Sequence, residues 1–357
     1  MKPSFSLPLA SPFRTGADGL FGRPSAAPGG IGIPVIIVTG FLGAGKTTLI
    51  RALLDSPEGA NSAVVVNEFG EIGIDDALLR ESSDATVLLG NGCVCCRHSS
   101  ELEATLRGLF VNRSRGVLPS FERVLIETSG LADPVPILQS FLAERGLHRM
   151  YGLQQVVAVI DAVNGEANIE GFAEARQQAA LADLVVITKA DLAALSQVES
   201  LQARIRDINR AARIIAASGR DAATAMLGGS LVNALDDRAA TGRAEHSAGI
   251  ASFVLTFDAP LDWRAFSLAM QTLAALRGPD LLRVKGLLAV EGTAGPVAVH
   301  HVRHLAHPPN ELKAWPDGER RSRLVFITRN ITKQAVADLF AATFRLQPES
   351  TEDHSDG

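Results

Sequence analysis

All cysteines of this 357-residue chain, Cys93, Cys95 and Cys96, lie within one short segment, GNGCVCCRHSSEL. Thiolates are soft ligands that select Zn²⁺, Cu(I) or iron–sulfur clusters, and such crowding is typical neither of scattered core thiols nor of a disulfide framework. Because the chain has no fourth cysteine, a closed four-thiolate zinc site and a four-cysteine cluster are excluded. Three sulfurs and an exchangeable fourth ligand, which could be water, His98 or a neighbouring carboxylate, suit a site that loads and releases metal. A redox pair and inert side chains in a turn are the alternatives.

A second motif, GFLGAGKT, fits the phosphate-binding pattern G-x-x-x-x-G-K-[ST] and lies between a predicted strand and a predicted helix. Its glycines let backbone N–H groups wrap phosphates, and the start of the helix adds positive potential. We expect Lys46 to reach the β- and γ-phosphates and the Thr47 hydroxyl to bind Mg²⁺. A chance glycine-rich turn would not explain the flanking strand and helix. The residues of this phosphate loop are Gly40, Phe41, Leu42, Gly43, Ala44, Gly45, Lys46 and Thr47.

The segment LIETSG places Glu127 at the carboxyl end of a predicted strand, followed by Ser129 and Gly130. An acid at this point can hold the hydration shell of Mg²⁺, and a glycine there can donate its N–H to the γ-phosphate. An acid that merely ends a strand is the alternative.

The segment ITKAD, which contains Thr188, Lys189, Ala190 and Asp191, predicts recognition of guanine. The Asp191 carboxylate can accept two hydrogen bonds from the guanine base, whereas adenine offers no such pair of donors on that edge. The stem of Lys189 can lie over the ring. Thr188 stands where asparagine is usual, and a strand followed by a capped helix start is the alternative.

Between the phosphate loop and the thiols, the segment VVVNEFGEIGIDDALL carries carboxylates in a loop that glycines interrupt. Loops of this kind respond to nucleotide state in switch proteins, whereas the simpler interpretation is a solvated acidic loop. If this loop rearranges on hydrolysis, the adjacent thiols are affected. The candidate switch carboxylates are Glu68, Glu71, Asp75 and Asp76.

Short apolar runs alternate with helical stretches over the first two thirds of the chain. Runs that are apolar on both faces predict a parallel sheet covered by helices on both sides, and therefore a doubly wound α/β fold. The predicted strands are 34–40, 62–68, 122–128, 155–161, 183–189 and 213–218, and the predicted helices include 47–55, 99–111 and 170–180.

A second pattern of strands and helices predicts a smaller α+β domain. Its predicted helices span 263–276 and 332–344, and its strands lie at 251–260, 281–291, 296–305 and 322–328. We divide the chain into a disordered leader at 1–30, a P-loop GTPase domain at 31–225, a linker at 226–250, the C-terminal domain at 251–346 and a disordered tail at 347–357.

The composition is that of an ordinary globular protein, with 46% hydrophobic and 20% charged residues. A formal net charge of −5 gives no electrostatic reason to expect nucleic acid or an anionic membrane as a partner. The apolar runs are of strand length, far below the roughly 20 residues that span a bilayer. The leader lacks the apolar core of a secretory signal, so we expect a reducing cytoplasm.

The segments GFLGAGKTTL, VNEFGEIGIDDALL, GNGCVCC, IETSGLADP and TKAD occur in the order and wording of the CobW-related metal-handling GTPases, which the chain resembles over about residues 33 to 345. These GTPases are grouped with the nickel-inserting GTPases of hydrogenase and urease maturation. The resemblance extends to VHHVRHLAHPP and RRSRLVFITR, which look like the C-terminal domain of the family.

The resemblance implies a zinc chaperone of the zinc-regulated GTPase metalloprotein activator type. Such a protein would use GTP, Mg²⁺ and Zn²⁺ and would transfer its metal to target apo-metalloproteins. The resemblance implies metal ligation by Cys93, Cys95 and Cys96, and it adds Thr48 to the phosphate-binding residues. Cobalt supply to corrin synthesis, with Co²⁺ as cargo, and a GTP-dependent regulatory adaptor remain alternatives. A homodimer is left open.

Four histidines, His300, His301, His304 and His307, lie near the C-terminus. On one regular strand, His300 and His304 would share one face and His301 and His307 the other, which prevents a single four-histidine site. The four histidines are interpreted either as ordinary surface or core residues or as part of an auxiliary metal or partner surface.

Overall fold

The computed structural model describes residues 32–67, 86–88, 99–143, 147–228, 249–303, 305–306, 308–316 and 318–345. The candidate switch carboxylates, the three cysteines, His98, His304 and His307 lie outside these ranges, as do the predicted leader, most of the predicted linker and the predicted tail. Within the described ranges, every helix is too short or too polar to cross a membrane.

Within the described residues, the first sheet has seven strands, and neighbouring strands pair in parallel. The order in the sheet is β3-β2-β4-β1-β5-β6-β7. Because β1 lies between β4 and β5, the chain leaves β1 toward one side and later crosses to the other. Crevices at the carboxyl ends of strands at such a switch point are where α/β proteins bind ligands. The strands are β1 Ile33–Thr39, β2 Ser62–Asn67, β3 Thr86–Leu88, β4 Arg123–Thr128, β5 Tyr151–Asp161, β6 Leu184–Thr188 and β7 Arg213–Ala216.

Successive residues of a strand point to opposite sides of the sheet, and helices cover both of these sides. On β1, Val35 and Ile37 join one hydrophobic core, and Ile36 and Val38 join the other. The helices are α1 Lys46–Leu54, α2 Ser99–Ser114, α3 Val135–Ala143, α4 Leu147–Met150, α5 Gly165–Gly171, α6 Ala173–Leu181, α7 Leu195–Ile208 and α8 Gly219–Ala225. The first core includes residues of α2, α3, α6 and α7, and the second includes residues of α1 and α8.

The C-terminal sheet is antiparallel, in the order β11-β10-β9-β13-β8, with the short β12 also paired to β10. Two helices pack on it through Phe266 and Phe340, which are both fully buried in its core. The strands are β8 Ile250–Phe257, β9 Leu281–Leu288, β10 Val297–Val302, β11 Leu305–Ala306, β12 Asn310–Glu311 and β13 Ser322–Arg329, and the helices are α9 Trp263–Arg277 and α10 Lys333–Arg345.

The structure confirms the predicted fold class and corrects three of its details. The helix predicted at 170–180 is present from Ala173, but the extended backbone of Phe172 (φ −123°, ψ 127°) separates it, as α6, from α5, which contains the first two predicted residues. The strand predicted at 296–305 ends at Val302, where the chain turns back antiparallel into β11. Ile250, which we assigned to the linker, is the first residue of β8 and is buried.

The two sheets share part of one core. Ile250, Leu282, Val302 and Ile327 of the C-terminal sheet belong to the same hydrophobic cluster as the helices on one face of the parallel sheet. The two halves of the chain therefore meet through a continuous apolar contact.

A group of three charged side chains, Asp183, Arg283 and Lys285, adds a buried polar contact across this boundary; we call it the anchor cluster. Asp183 precedes β6, and its carboxylate accepts hydrogen bonds from Arg283 Nη2 at 2.7 Å and from Lys285 Nζ. Burial acts to raise the pKa of Asp183, but the two cations outweigh it and hold that pKa below its ordinary value. Burial and the neighbouring Arg283 lower the pKa of Lys285 to about 8.

Candidate functional site

The phosphate loop connects the carboxyl end of β1 to the start of α1. Gly40 has φ +146°, and a Cβ atom there would lie 2.2 Å from the carbonyl oxygen of Val159 on the neighbouring strand. Gly45 has φ +93° and forms the N-terminal cap of α1. L-amino acids with side chains rarely adopt these conformations, so glycine at these two positions allows the loop to turn tightly against the sheet.

The Lys46 ammonium group is turned onto its own loop. Its Nζ donates to the carbonyl oxygens of Gly40 at 2.9 Å and of Phe41 at 3.4 Å, and the side chain is buried. A buried cation needs such acceptors to offset its desolvation. The positive charge thus lies inside the loop, where a phosphate group bound to it would replace these acceptors.

Thr47 and Glu127 meet beside this lysine. The Thr47 hydroxyl donates to Glu127 Oε1 at 2.6 Å, and Glu127 is almost fully buried at the end of β4. The contact forms because β1 and β4 pair in parallel, with Val38 opposite Glu127. A hydroxyl and a carboxylate are hard oxygen ligands of the type that Mg²⁺ prefers, so the residues present fit that ion. The two predicted Mg²⁺ ligands are therefore brought together.

Gly130 lies against the phosphate loop. A Cβ atom at this position would approach the backbone N of Leu42 to 2.8 Å. A larger side chain would therefore push the loop after β4 away from the phosphate loop. Because Gly130 has no side chain, its backbone packs directly against Leu42 of the phosphate loop, and its role toward the γ-phosphate stays a prediction.

Thr188 and Lys189 fasten the other side of the phosphate loop. The Thr188 hydroxyl donates to the carbonyl oxygen of Ala44 at 2.7 Å, and Lys189 Nζ donates to that of Gly43 at 2.9 Å. Thr188 stands where asparagine is usual, and its hydroxyl supplies a direct contact to the phosphate loop. This departure from the usual motif is therefore compatible with an ordered site.

Asp161, at the end of β5, was not among our predicted site residues. Its Oδ2 accepts from Lys189 Nζ at 2.8 Å, and its Oδ1 accepts from the backbone N–H groups of Val163 and Asn164 at 2.7 and 3.0 Å. Burial acts to raise the pKa of Asp161, but the hydrogen bonds from Lys189 and Asn164 outweigh it and lower that pKa. The signal that could have revealed Asp161 is its position at the end of the apolar run QVVAVID.

The remaining predicted nucleotide residues lie around this centre. Ala190 and Asp191 open a short 3₁₀ helix, Ala190–Leu192, after β6, and Asp191 and Thr48 are exposed. Phe41 packs on Phe172 with ring centroids 4.6 Å apart. The exposed Asp191 carboxylate is accessible to a base, so its predicted role is compatible with its position.

Two of the four histidines lie in the described residues. His300 and His301 are adjacent on β10, opposite Lys285 and Val284 of β9, and His301 is buried. Because the chain turns at Arg303, the single strand assumed for all four histidines does not exist. Within the described ranges, no group of three or more His, Cys, Asp or Glu side chains could hold a metal ion.

Two family descriptions match the two sheets in turn. The description "CobW/HypB/UreG, nucleotide-binding domain" matches residues 34–216, and the "Cobalamin synthesis protein cobW C-terminal domain" matches residues 250–344. The chain belongs to the CobW/HypB/UreG family. The family resemblance seen in the sequence motifs is therefore confirmed.

Two relatives in this family are similar to this chain over nearly their whole length. The zinc chaperone YjiA of Escherichia coli is 33% identical over 315 residues, which cover 87% of this chain and 98% of YjiA. The zinc chaperone CobW of Pseudomonas aeruginosa is 31% identical over 345 residues, which cover 86% of this chain and 90% of that protein. The crystal structure of Zn(II)-bound YjiA GTPase from E. coli matches with a TM-score of 0.65 at 32% identity, covering 87% of this chain and 99% of that one. The similarity to YjiA therefore includes both sheets.

Proposed function

We propose that this CobW/HypB/UreG-family chain is a GTP-hydrolysing zinc metallochaperone that binds Zn²⁺ on Cys93, Cys95 and Cys96 and transfers it to target apo-metalloproteins. The observation that carries the proposal is the 2.6 Å hydrogen bond between Thr47 and Glu127. It brings two hard oxygen ligands to one point on a phosphate loop. The family relationship and the names of the zinc chaperone relatives support the choice of cargo.

The positions of the side chains support this proposed nucleotide chemistry. On nucleotide binding, Lys46 would exchange the Gly40 carbonyl for the β- and γ-phosphates, and Thr47 and Glu127 would hold Mg²⁺, whose charge would offset that of the phosphates. The Gly130 N–H donates to the γ-phosphate. Since phosphoryl transfer relies mainly on positioning and electrostatic stabilisation, these groups account for hydrolysis without a covalent intermediate.

Residues on the opposite side of the phosphate loop would select guanine. Asp191 accepts from the base, and Lys189, held by Asp161 at 2.8 Å, covers the ring with its stem. Adenine would leave the Asp191 carboxylate without matching donors, which is the costly mismatch that gives discrimination. We expect GTP to bind in strong preference to ATP.

The zinc cargo would be held close to this nucleotide. β3 ends at Leu88, two residues before the thiol segment in the sequence, and β3 is parallel to β2 and β4, so Leu88 lies at the carboxyl edge that carries the phosphate loop. GTP can raise zinc affinity only if it binds more tightly to the conformation in which the thiolates converge. Hydrolysis would then lower zinc affinity and allow transfer.

The test is a competition titration of the full chain with a fluorescent zinc chelator, in the presence of Mg²⁺ and either a non-hydrolysable GTP analogue or GDP. We expect tighter zinc binding with the analogue by about five-fold or more, the lower end of typical coupling. Equal affinities in the two nucleotide states would rule out the coupling. Repeating the titration with Co²⁺ tests the cobalt alternative: since Co²⁺ generally binds more weakly than Zn²⁺, the decisive result is which metal's affinity depends on the nucleotide, and dependence for Co²⁺ alone would favour cobalt cargo.

Two variants separate zinc binding from GTP hydrolysis. Cys95→Ala should abolish tight zinc binding and leave GTP binding intact, whereas Glu127→Gln should impair hydrolysis and leave zinc binding to GDP-loaded protein intact. The control is Ser114→Ala, at the end of α2, which removes a surface hydroxyl that donates a hydrogen bond to the carbonyl oxygen of Phe110. In a transfer assay with an apo-metalloenzyme, GTP-dependent zinc binding without delivery would favour the regulatory adaptor.

A further inference from the structure

The loop that follows β4 reaches from the phosphate loop to the C-terminal sheet. At one end, Gly130 lies against Leu42 of the phosphate loop. Only three residues later, Asp133 lies at the start of α3, where its Oδ1 accepts from the backbone N–H of Val135 at 2.9 Å. A displacement of Gly130 therefore has a short path to Asp133.

Two neighbouring glutamines of α6 hold this loop in place. Gln178 Nε2 donates to the carbonyl oxygens of Gly130 and Ala132, both at 3.1 Å, and Gln177 Nε2 donates to the two oxygens of Asp133, also at 3.1 Å. Both glutamines are buried. Hydrogen bonds from α6 therefore position both ends of the loop.

Two arginines from the C-terminal sheet complete the arrangement. Arg303 Nη2 lies 3.4 Å from Asp133 Oδ2, and Arg329 Nη2 donates to Gln177 Oε1 at 3.0 Å. Arg329 is the last residue of β13, and Arg303 follows β10 at the turn into β11 with φ +55°. We call Asp133, Gln177, Arg303 and Arg329 the loop cluster.

The loop cluster is a weaker contact than the anchor cluster. Burial raises the pKa of Asp133, against the opposing effects of the Val135 N–H and of Arg303 and Arg329, whereas the pKa of Asp183 is lowered. The Arg303–Asp133 distance of 3.4 Å also exceeds the 2.7 Å between Arg283 and Asp183. The boundary between the sheets therefore has one tight polar contact and one looser contact beside a nucleotide-facing loop.

We propose that the loop cluster transmits the phosphate state at Gly130 to the C-terminal sheet. The proposal rests on the proposed function, because it requires GTP at the phosphate loop. When the Gly130 N–H engages the γ-phosphate, the loop shifts and carries Asp133 with it. This changes the contacts of Asp133 and Gln177 with the two arginines, while the anchor cluster keeps the sheets joined. Nucleotide state then selects between two positions of the β10–β11 turn.

The test is hydrogen–deuterium exchange of the full chain with Mg²⁺ and either GDP or a non-hydrolysable GTP analogue, observed on peptides that cover β10 and β11. In the wild type we expect exchange there to differ by about five-fold or more between the two nucleotides. Arg303→Asn should abolish the difference, and asparagine tolerates the left-handed backbone at this position. Arg329→Met, which leaves that turn unchanged, should reduce the difference.

Arg321→Ala is the matched control, because Arg321 pairs on the surface with Glu319 and Asp258 of the same domain. It should retain the full nucleotide-dependent difference. Titration with a fluorescent GTP analogue accompanies each variant. Absence of GTP binding by the wild type would refute the proposed function itself. GTP binding with equal exchange in both nucleotide states, or a difference that survives in Arg303→Asn and Arg329→Met, would overturn the coupling alone.

Discussion

The two ends of β6 carry similar ion pairs in different surroundings. At the amino end, Asp183 pairs with Arg283 and Lys285, and all three side chains are at most 11% exposed. At the carboxyl end, Lys189 pairs with Asp161 at 2.8 Å, and the lysine side chain is 37% exposed. Hydrogen-bonding distances at the two ends are alike, so distance does not distinguish the two groups.

The difference lies in what surrounds each pair. Water can replace a partner of Lys189, so that side chain is able to exchange contacts, as the proposed binding of a base requires. Charges in the anchor cluster have no such replacement, and removing one partner leaves the others buried and uncompensated. One strand thus has a buried polar connection at one end and a partly exposed ion pair, at the proposed base-binding surface, at the other.

The largest effect should come from Asp183→Asn. This change leaves Arg283 and Lys285 facing each other in a buried site, which typically costs about 3–5 kcal/mol in the free energy of unfolding. Urea denaturation followed by circular dichroism measures it. Asp258→Asn, at a carboxylate whose side chain is 88% exposed, is the control and should cost less than about 0.5 kcal/mol. Similar losses in both variants would contradict the distinction between the two ends of β6.

Asp161→Asn should weaken GDP binding and leave the free energy of unfolding largely unchanged. Asparagine keeps an oxygen for the N–H groups of Val163 and Asn164 but removes the charge that positions Lys189. We expect GDP affinity to fall about ten-fold, since a hydrogen bond to a charged group contributes roughly 1.5 kcal/mol. Isothermal titration calorimetry measures this, and an unchanged affinity together with a large loss of stability would reverse our assignment.

Lys285→Met should be much milder than Asp183→Asn, although both remove one member of the same cluster. The remaining Asp183 and Arg283 form a balanced pair at 2.7 Å, and methionine fills much of the lysine volume. We expect a cost below about 1.5 kcal/mol by the same denaturation measurement. A loss as large as that of Asp183→Asn would mean that charge balance is not what stabilises the anchor cluster.

The smallest effect concerns pH. The pKa of Lys285 is about 8 in the folded chain and about 10.5 when unfolded, so between these values the unfolded chain binds more protons. Unfolding free energy should therefore rise with pH, by less than about 1 kcal/mol from pH 8 to pH 9. Denaturation at the two pH values detects the rise, and Lys285→Met should lack it. A rise of equal size in that variant would assign the effect to another group.

The sequence predicted the parts of the site that depend on local pattern. The phosphate loop was recognisable because Gly40, Gly45 and Lys46 have fixed spacing, and the parallel pairing of β1 with β4 then brings Glu127 to Thr47. Hydrophobic runs on both faces likewise predicted the doubly wound sheet. The break between α5 and α6 was missed because residues that form helices stand on both sides of Phe172, although Gly171 precedes it.

The contacts between the two sheets could not be predicted in this way. Asp183 and Arg283 are 100 residues apart, and Asp133 and Arg303 are 170 apart, so nothing in the local pattern distinguishes them from surface charges. Their pairing depends on how the C-terminal sheet lies against α6 and β6. Asp161 was closer to prediction, because an acid at the end of a buried strand is a recognisable signal.

The length of β6 has a consequence for how this protein can diversify. Its five residues, Leu184–Thr188, separate Asp183 from Lys189 by roughly 20 Å of extended chain. Substitutions that far apart generally contribute independently to stability and affinity. A lineage could therefore strengthen or loosen the contact between its two sheets without altering the base preference proposed for the other end of β6, and could change that preference without separating the sheets.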